Sequence, residues 1–63
     1  MLGTKIKTYL DTNGIKYAHV AGKAQIPAST FSAMLNGRRS IRAEEYFNIC
    51  TALGVDKDRF AGD

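Results

Sequence analysis

The chain has 63 residues and a net charge of +3, which bounds it to one domain, 1–63, near the lower end of what folds without a staple. A single cysteine, Cys50, excludes an internal disulfide. No His/Cys cluster points to a metal and nothing points to a cofactor, no apolar run approaches the roughly 20 residues of a membrane span, and no signal-peptide pattern is present, so a soluble, cytoplasmic protein is expected. The charge is polarised: residues 1–42 carry seven bases against Asp11, giving +6, whereas residues 43–63 carry Lys57 and Arg59 against five acids, giving −3.

A first helix is expected from Leu2 to Asn13, with Leu2, Ile6, Tyr9 and Leu10 on its inward stripe and Asn13-Gly14 as its stop. A second, short helix runs from Lys16 to Ala24 and is weakened by Gly22, by up to about 1 kcal/mol relative to alanine. Gln25 to Pro27 form a turn, and Pro27 pre-sets the first turn of a third helix that runs to Asn36 and stops at Gly37. The loop 38–42 carries one apolar residue, Ile41, expected to tuck into the core. A fourth helix spans Ala43 to Leu53, with Phe47, Cys50 and Leu53 facing inward and Gly54 as its stop. Asp56 caps a last short turn through Phe60, and Val55 and Phe60 complete the core. No strand pattern, repeat or linker interrupts this all-α series of four helices and a fifth turn.

The stretch from Tyr17 to Arg39, YAHVAGKAQIPASTFSAMLNGRR, holds two short helices around a tight turn with a basic exit. Ala21 falls where two helices must approach closely, and Ile26 plugs the angle between them. Phe31, Met34 and Leu35, at i, i+3 and i+4, give the third helix one buried stripe. The opposite stripe, Ala28, Ser29, Ser32, Ala33 and Asn36, is small or polar. A short helix locked on one face and free of bulk on the other fits a DNA major groove, so the pattern reads as a helix-turn-helix. The basic front of the chain suits phosphate neutralisation and steering toward double-stranded DNA.

The run V-A-x-x-A-Q-I-P-x-S-T-F-S-x-M-L-N-G-R-R, followed by a helix ending I-C-T-A-L-G-V, resembles the phage repressor and Cro family of helix-turn-helix domains (Xre-like) over Leu2 to Phe60. The resemblance implies a compact four- to five-helix fold like the lambda repressor domain, with the helix-turn-helix at helices 2 and 3. It further implies a homodimer on a two-fold operator, with helix 28–36 in the major groove and the last short helix or tail at the subunit contact. Ala28, Ser29, Ser32 and Ala33 would face base edges, and Lys16, Tyr17, Asn36, Arg38 and Arg39 would contact phosphates. Two positions depart from the family pattern. Gln25 stands at a turn position usually held by glycine, where a positive φ is favoured, and Pro27 stands where a serine or threonine cap is usual.

The expected reading face has no arginine for guanine and no glutamine or asparagine for adenine before Asn36. Ala28 and Ala33 suit thymine methyls and Ser29 and Ser32 suit either base type, so specificity is expected to draw on DNA shape and half-site spacing. Arg38 and Arg39 suit phosphate oxygens, and Lys16 and Tyr17 lie at a helix N-terminus that attracts phosphate. Cys50 reads as a small buried residue and His19 as an exposed or partly packed one. Glu44 and Glu45 read as favourable charges at the N-terminus of the fourth helix rather than an acid–base pair. With no nucleophile or phosphate-cradling loop, no enzyme is expected. The leading reading is a sequence-specific transcriptional repressor of phage or prophage type. The alternatives are a helix-turn-helix module that binds a regulatory protein partner, and the antitoxin of a toxin–antitoxin pair. Val55 to Phe60 is the expected dimer surface, on the argument that an exposed aromatic there needs a reason.

Overall fold

The computed structural model describes residues 2–60, which form α1 (Leu2–Thr12), α2 (Tyr17–Ala24), α3 (Ala28–Leu35) and α4 (Ala43–Leu53). Among these residues there is no strand, and no helix is long and apolar enough to cross a membrane. Three helix ends differ by one residue from the sequence expectation. Asn13 lies beyond α1, Lys16 caps α2 from outside with an extended backbone, and Asn36 caps α3 rather than continuing it. The segment after Gly54 closes as a hydrogen-bonded turn, with the Arg59 N–H donating to the Asp56 carbonyl at 3.0 Å, rather than as a fifth helix.

All four helices stop by the same bond, in which an N–H donates to the carbonyl five residues back. Ile15 reaches Leu10 (2.9 Å), Ile26 reaches Ala21 (2.9 Å), Arg38 reaches Ala33 (2.9 Å) and Val55 reaches Cys50 (3.1 Å). The motif needs a left-handed residue just before the donor. Gly14, Gly37 and Gly54 supply it at three ends, and Gln25 at the other, with φ +60° and ψ +40°. Gln25 thus adopts the positive φ for which the family pattern favours glycine, a conformation that costs an L side chain more than glycine. The donor residue of this motif usually makes an apolar contact with the helix it closes. Ile26 is buried here, and Ile15 and Val55 are half-buried against the core; Arg38 alone of the four is exposed.

α2 packs against α4 and α3, and α1 packs against α3, around Ile6, Leu10, Val20, Ala21, Ala24, Ile26, Phe31, Met34, Leu35, Ile49, Cys50 and Phe60. The Phe60 ring meets Tyr9 edge-on at 5.5 Å between centroids, and the Tyr46 hydroxyl donates to the Lys57 carbonyl, so the last turn is drawn onto the helices. Two expectations fail here. Phe47 does not face inward: it is 46 % exposed, and Ile49 takes the buried place at 0 %. Phe60 is 6 % exposed and completes the core as expected, which removes the exposed aromatic on which the Val55–Phe60 dimer surface was argued. The aromatic that does stand at the surface is Phe47, with the Lys57 ammonium 4.4 Å from its ring centre. Leu53 and Ile41 are half-buried and pack against the core, as expected.

Candidate nucleic-acid interface

α3 is anchored through one face. Phe31, Met34 and Leu35 are each within 2 % of complete burial, and dispersion and hydrophobic contact on all sides fix the helix's rotation about its own axis. The other face follows from that rotation. Ala28, Ser29 and Ser32 are exposed, and Ala33 is half-buried at the margin. Pro27 stands at the N-cap with φ −55° and ψ 140°, and its carbonyl accepts the Phe31 N–H at 2.9 Å, so the ring starts the helix without a side-chain cap. α2 likewise begins without a side-chain cap at Lys16. Both helices of the motif thus begin without a side-chain cap on their N-terminal N–H groups, the partial positive end of each dipole.

The residues expected at phosphates have unlike surroundings. Lys16 and Arg38 are exposed. Tyr17 is half-buried, its ring edge-on to Phe31 at 6.5 Å, and its hydroxyl donates to Asp11 Oδ1 at 2.6 Å. That bond to a carboxylate raises the Tyr17 hydroxyl above its ordinary range, because losing the proton would set two negative charges side by side. Asn36 folds back, with its Nδ2 donating to the Ser32 carbonyl at 2.9 Å; a residue expected at a phosphate is thereby joined to one expected at a base.

Arg39 is held by Glu45. Its Nη1 and Nη2 donate to the two carboxylate oxygens at 2.9 and 3.0 Å, and Nη1 also reaches the Ser40 carbonyl at 3.2 Å. Glu45 accepts the Arg42 N–H as well, at 3.0 Å, and so closes the first turn of α4 from its third residue. The Arg39 fork and the Arg42 N–H hold the Glu45 carboxyl below the usual carboxylate range. Glu45 was legible in sequence as a charge favourable to a helix N-terminus, but its grip on Arg39 was not. The only sign available was a Glu at the third helical position, the place a capping carboxylate takes.

A second residue of consequence had no sequence signal. Gly3, buried on α1, lies directly on the end of α3: a Cβ there would overlap the Met34 carbonyl oxygen. Backbone-to-backbone contact at this point seats the C-terminal end of α3, from which Asn36 and Arg38 emerge.

A family model described as a helix-turn-helix domain matches residues 1–61, and the chain belongs to that family. No curated protein and no solved structure matches the chain.

Proposed function

We propose that this helix-turn-helix domain is a sequence-specific DNA-binding transcriptional regulator, a repressor of phage or prophage type that binds a two-fold operator as a homodimer. The observation that carries the reading is the division of α3 into a locked face, Phe31, Met34 and Leu35, and a bare one, Ala28, Ser29 and Ser32. Such a helix enters a major groove without steric obstruction and holds its register while it does so. Ala28 and Ala33 then touch thymine methyls, and Ser29 and Ser32 bond to base edges of either kind.

Phosphate contacts fix the domain on the duplex. Arg38 supports this role most directly, because it is exposed at a helix-closing position where the other three helices carry isoleucine or valine. Lys16 and Tyr17 stand at the start of α2 and Asn36 at the C-cap of α3, with the uncapped start of α2 adding its dipole. One module buries only about 600–1,000 Å² on DNA, so useful specificity calls for two copies on a two-fold site. With no bidentate arginine or glutamine on the reading face, discrimination rests largely on groove shape and half-site spacing.

Selection of the purified protein on random duplex DNA, at two salt concentrations, tests the proposal. The expected result is an enriched palindrome whose affinity falls steeply with salt. Weak, uniform binding with no enriched sequence would reject an operator-binding repressor and leave the protein-interaction and antitoxin readings.

A further inference from the structure

Three arginines, Arg38, Arg39 and Arg42, lie within the seven residues, 36–42, that lead from α3 to α4, and by composition they are equivalent phosphate ligands. The structure separates them. Arg38 and Arg42 are exposed, whereas the Arg39 side chain is 34 % exposed and forked onto the 20 % exposed carboxylate of Glu45. The same carboxylate receives the Arg42 backbone N–H, so one acidic group takes hydrogen bonds from two points of the loop three residues apart.

We propose that Arg39 is a positioning residue: its bidentate pair with Glu45 draws the loop 37–42 onto the first turn of α4 and so presents Arg38 and Arg42, rather than itself, to a phosphate backbone. The assignment rests on the DNA-binding reading above. Two physical points carry it. A guanidinium forked on a carboxylate is charge-compensated, so it releases few counterions from DNA and adds little to the salt dependence. The geometry also needs the planar fork, which lysine lacks.

Glu45 is an acid beside a basic loop, and charge counting alone says that removing it strengthens DNA binding. Positioning says the reverse. Glu45→Gln is the informative variant, because the amide keeps one acceptor oxygen for the Arg42 N–H while the charged fork to Arg39 is lost.

The first readout needs no DNA. Backbone order parameters of residues 37–42 in free Glu45→Gln should fall relative to wild type while those of α3 stay unchanged; an unchanged loop overturns the proposal. The second readout is affinity for duplex DNA across a salt series. The expected result is a three- to fivefold loss in Glu45→Gln, roughly the size of a partly exposed ion pair, with a salt slope no shallower than that of wild type. Arg39→Lys should lose as much as Arg39→Gln. Equal or tighter binding by Glu45→Gln, or full retention by Arg39→Lys, overturns the proposal. If wild type binds no duplex at all, it is the DNA-binding reading that fails, while the loop measurement still decides whether Arg39 positions the loop.

Discussion

Gly3 of α1 lies against the backbone of Met34 in α3, so close that any side chain at position 3 would overlap the Met34 carbonyl oxygen. In an isolated helix, replacing glycine by alanine stabilises by about 1 kcal/mol. Here the added methyl meets backbone, which cannot rotate away, so Gly3→Ala should destabilise by about 1–3 kcal/mol. Gly22 is the internal control. It is exposed on α2 with nothing within 4 Å of a built Cβ, and Gly22→Ala should stabilise by about 0.5–1 kcal/mol. Urea denaturation of the two variants checks the opposite signs.

The fourth helix supplies a second paired test. Ile49 is fully buried and Phe47 is 46 % exposed beneath the Lys57 ammonium. Ile49→Ala should cost about 2–5 kcal/mol through lost burial and a residual cavity. Phe47→Ala should cost under about 1 kcal/mol, the worth of an exposed cation–π contact and little else. Equilibrium unfolding of both would reverse the ranking that side-chain size alone suggests.

These outcomes mark where sequence reasoning reaches and where it stops. Phe31, Met34 and Leu35 were readable because a short helix bounded by Pro27 and Gly37 has one apolar stripe and no alternative. The turn at Gln25 was readable because a left-handed residue is needed there whatever its side chain. On α4 the apolar residues run Tyr46, Phe47, Ile49, Cys50, Ala52 and Leu53, enough for two overlapping stripes. What decides between those stripes is the shape that α2 and the last turn present, and periodicity carries no record of it. The Arg39–Glu45 pair spans six residues across a loop, a separation with no helical or strand period behind it. Gly3 looks like a weak helix position until its neighbour is known.

Acid should loosen the α3–α4 loop. The Glu45 carboxyl is held below its ordinary value by Arg39, so its ionised form stabilises the folded state fully above the unfolded glutamate value of about 4.3. That contribution disappears as pH falls from there through the lowered folded value. Urea midpoints of wild type and Glu45→Gln, taken from pH 7 downward, should differ by a constant amount until about pH 5 and converge below it. A difference that persists into strong acid would mean that Glu45 acts through its shape and not its charge.

The most direct test of the central claim is the salt dependence of DNA binding in wild type and Arg38→Ala, measured on the selected duplex and on an unrelated one. Steep salt dependence is expected for wild type. In Arg38→Ala the slope should be shallower by about one, with affinity for both duplexes lowered by a similar factor. Binding that ignores salt, or an Arg38→Ala variant with the wild-type slope, would contradict a DNA-binding surface that exits α3 through Arg38.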